Sequence, residues 1–298
     1  MRRRFFTLDV FTNRRFAGNP LAVVLESSDL SNSAMQAIAR EYNLPETVFV
    51  FPAESAKHRA RLRIFTPARE LPFAGHPTVG TAVLLALLDG GSTERELVLE
   101  ERIGPVACTV EAEKGGGTAA FAIPHAPEKV ESVIGPAGLA AVLSLRAADI
   151  GFAGFKPATW MAGNSFVFVP LRGLDAMRRA RPDMTAWPQV FRDDGPTGAY
   201  LYCDEVTDPQ ASYHTRMFAP KMGIAEDPAT GSAAAAFAGV LAASGRYTDG
   251  EHAVGLEQGI EMGRPSLIQL KIEMRGGRFA AGTVGGDAVI VSEGTIEA

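Results

Sequence analysis

Two stretches of this chain, Thr78 to Leu88 and Gly231 to Ser244, are helical in pattern and apolar on nearly every side. A helix without a polar face cannot lie on a wetted surface and has to be enclosed by other elements. Each stretch opens from a glycine-led segment, Leu71-Pro-Phe-Ala-Gly-His-Pro-Thr-Val-Gly80 in the first and Glu226-Asp-Pro-Ala-Thr-Gly-Ser-Ala-Ala-Ala235 in the second. Small residues there leave backbone N–H groups open at the positive end of the helix dipole. His76 stands at the first mouth, and Asp227 and Ser232 at the second. Two such entrances in one chain point to a shared site for an anion.

The length of 298 residues suits two medium domains, each with its own core. An apolar share of 46% and a charged share of 21% are those of an ordinary soluble globular protein. The net charge of −5 and the lack of a basic run after Arg2-Arg3-Arg4 argue against a nucleic-acid partner. The longest apolar run, Thr81 to Leu88, falls well short of the roughly 20 residues that span a bilayer, so no membrane partner and a cytoplasmic location are expected. Cys108 and Cys203 lie far apart with no ligand spacing around them, so no metal site or redox pair is signalled.

Segments of β pattern surround both apolar helices. The chain opens with a hairpin, Phe5 to Val10 and Leu21 to Leu25. Ser33 with Gln36 resembles a capping box ahead of a first helix, and Glu46 starts the strand that follows. Pro124 to Pro136 reads as the linker. Ile260 to Met262, Leu267 to Met274 and Gly277 to Val291 read as closing strands. The two halves share one plan, which makes an internal duplication plausible and places the two helix entrances at the domain interface.

No GxGxxG, GxxxxGK[ST], HExxH or GxSxG is present, which leaves proton transfer as the readable chemistry. Glu46, at the entry of an apolar strand, is the strongest candidate base, because partial desolvation raises a carboxyl's pKa towards a useful value. An exposed strand-entry glutamate is the plainer reading. His76 is a donor or proton shuttle, or else caps its own first turn. Asp227 and Ser232 are equally explained as N-capping residues. Asn19 in Phe16-Ala-Gly-Asn-Pro20 echoes His76 in Phe73-Ala-Gly-His-Pro77. Gly263-Arg-Pro-Ser266 offers a guanidinium and a hydroxyl to a carboxylate, or is a surface turn.

The combination of Asn43-Leu-Pro-Glu-Thr-Val48, Phe73-Ala-Gly-His-Pro-Thr-Val-Gly80, Glu226-Asp-Pro-Ala-Thr-Gly-Ser-Ala233 and Gln258-Gly-Ile-Glu-Met-Gly-Arg-Pro-Ser266 resembles the PhzF family, the phenazine-biosynthesis isomerase-like proteins. Asp9-Val-Phe-Thr12 and Phe16-Ala-Gly-Asn-Pro20 extend the resemblance over nearly the whole chain. It implies an α+β, diaminopimelate-epimerase-like fold of two pseudo-symmetric domains, each a curved sheet or barrel around a central apolar helix. The expected boundaries are 1–123, 124–285 and a terminal strand, 286–298, returning to the first domain. The resemblance also implies a homodimer without metal or organic cofactor, acting on a small carboxylate. Glu46, His76 and Asp227 match the family's catalytic set, with Asn19, Gly75, Gly231 and Ser232 binding substrate. Related racemases carry two facing cysteines at the glycine turns, where this chain has Ala74 and Thr230, so a two-thiol mechanism is disfavoured.

These readings converge on a cofactor-independent isomerase in which Glu46 removes and returns a proton. Two alternatives stay open at this level: a binding module with the same cleft and no turnover, and a two-base racemase using Glu46 and His76.

Overall fold

The computed structural model describes residues 1–131, 134–192 and 194–298, with the side chain of Ser92 left out. Residues 132 and 133 of the expected linker thus lie outside the described residues. In chain order the strands are β1 (Arg2–Val10), β2 (Asn19–Val24), β3 (Glu46–Phe51), β4 (Ala60–Phe65), β5 (Glu70–Leu71), β6 (Ser92–Glu101), β7 (Gly104–Glu113), β8 (Gly116–Ala122), β9 (Glu128–Val130), β10 (Ala158–Ala162), β11 (Asn164–Pro170), β12 (Gly198–Cys203), β13 (Tyr213–Ala219), β14 (Ile224–Asp227), β15 (Gly250–Gln258), β16 (Ser266–Arg275) and β17 (Arg278–Glu297). The helices are α1 (Asn32–Tyr42), α2 (Gly75–Leu88), α3 (Pro136–Val142), α4 (Leu174–Arg179), α5 (Trp187–Val190) and α6 (Gly231–Ala243). Contacts divide the chain into two compact units, Met1–Ala122 with Gly285–Ala298, and Ile123–Val284.

In the first unit the strands close on themselves. β17 pairs with β1, β1 with β2, β2 with β3, β3 with β4, β4 with β6, β6 with β7 and β7 with β8, and β8 returns to β17. The β2–β3 and β4–β6 pairings are parallel and the others along β1 to β8 antiparallel. This barrel has no free edge, and α2 runs inside it, in contact with β1, β2, β3, β6, β7 and β8. The sequence dictates that place: every residue from Gly75 to Ala86 is buried, and no surface position could hide them all. Along β7 the burial alternates, Val106, Cys108, Val110 and Ala112 pointing inward. α1 packs outside the barrel, its Met35, Ile38 and Ala39 meeting Val24, Phe49 and Phe65.

The second unit repeats the plan with a sheet around its own helix. Its pairing order is β9, β10, β11, β12, β13, β15 and β16, with β14 added on β13. α6 touches β9 and β16, the two ends of that order, so the sheet curls around it. β12 is buried on both faces. Its Tyr200 and Tyr202 reach inward to Phe237 of α6, while Ala199, Leu201 and Cys203 face an outer core built with α3, α4 and α5. Cys203 is thus a packing residue, and burial pushes its thiol up to about 12.

Several local readings need correction. The N-cap of α1 is Ser31, whose hydroxyl accepts the Ala34 N–H. Gln36 belongs to no capping box, because its amide donates to the Thr66 and Pro67 carbonyls. α2 begins at Gly75, three residues before the proline-based expectation, since the first-turn N–H that Pro77 lacks has no partner in the helix anyway. Ile260–Met262 is a single 3₁₀ turn and no strand, because Gly259 and Gly263 flank it at φ values of 77° and 69°. No helix among the described residues is long and apolar enough to cross a membrane.

Each central helix carries a glycine where a wall comes too close for a side chain. A Cβ on Gly80 would sit 2.7 Å from Leu21 Cδ2 and from Val10 Cγ2, and one on Gly239 2.3 Å from Trp160 Cε3. Alanine ordinarily stabilises a helix interior by about 1 kcal/mol over glycine. Overpacking reverses that sign here, so Gly80→Ala and Gly239→Ala are expected to lower stability by about 1–3 kcal/mol in urea titration. The rigid indole should make Gly239 the more sensitive position.

Behind the start of α2, Glu101 is 7% exposed and meets Thr78, whose Oγ1 lies 2.7 Å from Glu101 Oε1 and 2.8 Å from the Ala74 carbonyl. Burial pushes the Glu101 carboxyl up to about 8, against the opposing pull of the Thr78 hydrogen bond. Protonated Glu101 therefore donates to Thr78, which donates to Ala74. The folded state holds this proton above about 4.5, where the unfolded chain has lost it. The contribution is full at lower pH and fades as pH rises through about 8, at about 1.4 kcal/mol per pH unit. Urea midpoints of wild type and Glu101→Gln should converge or cross as pH rises from 5 to 9, with the slope difference absent if Glu101 is ionised throughout.

Candidate active site

The first unit holds four of the expected residues, Asn19, Glu46, Gly75 and His76. Glu46 opens β3 and is 8% exposed, its backbone paired in register with Leu21 of β2. His76 is the second residue of α2 and is 4% exposed. Its Nε2 lies 3.4 Å from Glu46 Oε2. Its ring also bonds the backbone of Pro20, which has no N–H, so the ring donates to that carbonyl. Nε2 makes no hydrogen bond, which assigns the proton to Nδ1 and leaves Nε2 as an acceptor. Burial, only partly countered by the Pro20 bond, pushes His76 down to about 3, so the ring is neutral at physiological pH. Asn19, fully buried, precedes Pro20 and brings the Phe16–Pro20 turn to the same place. Asp9 supports that turn by accepting the Phe16 N–H at 2.6 Å.

Gly75 is the first residue of α2, and the N-cap is Ala74, which offers no side-chain acceptor. The plainer reading of His76 as a cap of its own helix therefore fails. A neutral ring acceptor beside a carboxyl has a defined chemistry. Facing an ionised Glu46, Nε2 has no proton to share; once Glu46 carries a proton, the acid can donate it to Nε2.

The second unit assembles the others. Asp227 ends β14 and is 7% exposed, Gly231 and Ser232 are the first residues of α6, and Thr230 is the N-cap. Thr230 makes no side-chain bond to the helix N–H groups, because its hydroxyl lies 2.5 Å from Asp227 Oδ2. Asp227 is thus engaged through Thr230. Ser266 is committed internally, donating to the Pro228 and Arg264 carbonyls, so its hydroxyl is not the anion donor offered by the sequence.

Sequence reading assigned no role to the groups that brace this entrance. Gln258 at the end of β15 bonds the Asp227 carbonyl and Thr230. Arg216 of β13, 2% exposed, grips Glu226 with two bonds of 2.7 and 2.8 Å, and its Nη1 donates to the Ala180 carbonyl at 3.1 Å. Next to it His214 lies 2.6 Å from Glu257 and 3.0 Å from Glu261. Burial pulls His214 down, but the two glutamates more than restore it, to about 9, so it is an imidazolium. Partners 10 to 47 residues distant leave no periodic signal in the sequence.

The thiols lie elsewhere. Cys108 faces the barrel interior and Cys203 the outer core of the second unit, and burial, with Glu101 adding, raises the Cys108 thiol well above its ordinary range.

The profile of the PhzC-PhzF family, described as phenazine biosynthesis-like protein, matches residues 8–294. The chain is 46% identical over 297 residues to an uncharacterized isomerase of Mesorhizobium japonicum, covering 99% of this chain and 98% of that one. It is 36% identical over 292 residues to trans-2,3-dihydro-3-hydroxyanthranilate isomerase of Pseudomonas aeruginosa, covering 98% of each. Among solved structures, a PhzF-family protein of Bacillus anthracis superposes with a TM-score of 0.87 at 27% identity over all of both chains. A hydroxyproline epimerase of Agrobacterium vitis, 12% identical, shares the fold with a TM-score of 0.63 over 99% of this chain and 92% of that one. The fold is the expected α+β epimerase-like one. This chain belongs to the PhzC-PhzF family of phenazine biosynthesis-like proteins and is an enzyme of the isomerase class.

Proposed function

We propose that this isomerase shifts a proton within a small unsaturated carboxylate, with Glu46 as the single proton carrier. The observation that carries the reading is the buried Glu46 and His76 pair, 3.4 Å apart, with the histidine proton turned away to Pro20. Ionised Glu46 takes a proton from a carbon made acidic by the conjugated carboxylate. The resulting acid is stabilised by donation to His76 Nε2 and returns the proton to another carbon on the same face. Charge left on the substrate is delocalised into its carboxylate. Backbone N–H groups at the uncapped helix entrances, with Ser232, supply donors for that charge, and Asp227 accepts from a substrate N–H or O–H. Two groups only 3.4 Å apart leave no room for a carbon between them, which speaks against Glu46 and His76 as the opposed bases of a racemase.

The name of the Pseudomonas aeruginosa relative makes trans-2,3-dihydro-3-hydroxyanthranilate the first probe. In deuterium oxide the product should carry solvent deuterium, while substrate labelled at the migrating position should retain part of its label in ordinary water. Glu46→Gln is expected to lower turnover by about 10²–10⁴-fold without unfolding the protein. Full turnover in that variant would remove Glu46 from the role. Binding of carboxylates without any proton exchange across a substrate panel would replace the enzyme reading by a binding module. Because His76 is neutral down to about pH 3, the acid limb of kcat/KM should survive in His76→Asn.

A further inference from the structure

Gln258 is fully buried, and its side chain reaches across to the turn that leads into α6. Nε2 lies 2.7 Å from the Asp227 carbonyl and 3.0 Å from Thr230 Oγ1, and Oε1 lies 3.2 Å from the Thr230 backbone nitrogen. The amide fits one way only: the Asp227 carbonyl can only accept, and the Thr230 N–H can only donate. Since Gln258 donates to Thr230 Oγ1, the threonine hydrogen is left for Asp227 Oδ2, 2.5 Å away. Three groups thus form a chain of fixed polarity, from Gln258 N–H to Thr230 O–H to the Asp227 carboxylate.

The backbone around the chain is built to bring these groups together. Gly259 has φ 77°, and a Cβ there would lie 2.4 Å from the Arg264 carbonyl oxygen and 2.6 Å from that of Pro228. Ser266 donates to the same Pro228 carbonyl at 3.0 Å. Two titratable neighbours of Asp227 are otherwise accounted for. Glu226 is taken up by Arg216, and Tyr200 of β12, its phenol raised by burial, stays neutral.

We infer that Gln258 is a positioning residue for the reaction: acting through Thr230, it fixes the orientation of the Asp227 carboxylate and favours its ionised, hydrogen-bond-accepting form. The inference rests on Asp227 as a substrate-facing group, and its test is independent of turnover.

Carboxyl ¹³C titration of Asp227, assigned with Asp227→Asn, should be measured in wild type, Gln258→Met, Thr230→Val and Thr230→Ser. The Asp227 titration is expected to shift to higher pH in Gln258→Met and Thr230→Val and to return to the wild-type position in Thr230→Ser. An unshifted titration in folded Thr230→Val overturns the inference, and that variant, which exchanges a hydroxyl for a methyl, serves if Gln258→Met does not fold. With trans-2,3-dihydro-3-hydroxyanthranilate as probe, the same variants should lose kcat more than they raise KM. Absence of wild-type turnover would refute the isomerisation of that compound while leaving the titration result to decide on Gln258.

Discussion

Enclosure of an apolar helix is the constraint on which the rest of this structure depends. α2 and α6 have no wetted face, so each needs a sheet wrapped around it. The barrel in the first unit and the curled sheet in the second answer the same requirement. A helix enclosed on its sides presents polar backbone only at its ends. At the N-terminal ends that backbone is a set of N–H donors with a positive dipole, and neither Ala74 nor Thr230 covers it with a side-chain bond. Packing and anion-binding character therefore have one origin.

Enclosure also decides how charge is handled near those ends. A carboxyl beside a buried helix loses water, and the two units compensate differently. In the first, Glu101 takes up a proton and passes a hydrogen bond through Thr78 to Ala74, and His76 gives up any charge. In the second, Arg216 pairs with Glu226, and the imidazolium of His214 pairs with Glu257 and Glu261. Glu101 and His76 beside the start of α2 are thus neutral, and the entrance of α6 is braced by opposite charges. That difference accords with a proton carrier in the first and an orienting role in the second.

The parts of this design that depend on local pattern were legible in the sequence. Glycine-led entry and an all-apolar run identified α2 and α6. Local pattern failed where two local rules competed. Pro77 drew the start of α2 to Thr78, although a proline in the first turn forfeits no helical bond. Ile260 and Met262 looked like strand residues until Gly259 and Gly263, both at positive φ, closed a turn around them. The site divides in the same way. Glu46, His76 and Asp227 stand at element starts and ends that a sequence reveals. Gln258 touches residues 28 and 31 positions away, and no periodicity records such a contact.

Neither glycine turn carries a thiol, Ala74 standing at one and Thr230 at the other. Two opposed thiols act on both faces of a carbon, one removing and one delivering a proton, and so suit inversion. A single carboxyl with an acceptor beside it has nowhere to send its proton except back to the face it came from. In the proposed reaction the neutral His76, its own N–H held by the Pro20 carbonyl, would stabilise a proton-bearing Glu46 without taking part in a second transfer. If the chemistry is confined to one face as proposed, the product is set by which carbon next comes within reach of Glu46, and hence by how firmly the substrate is oriented. At the other turn the Thr230 hydroxyl lies 2.5 Å from Asp227 Oδ2 and accepts from Gln258 at 3.0 Å. Ala74, with a methyl group only, leaves the α2 entrance to its backbone N–H groups and to His76.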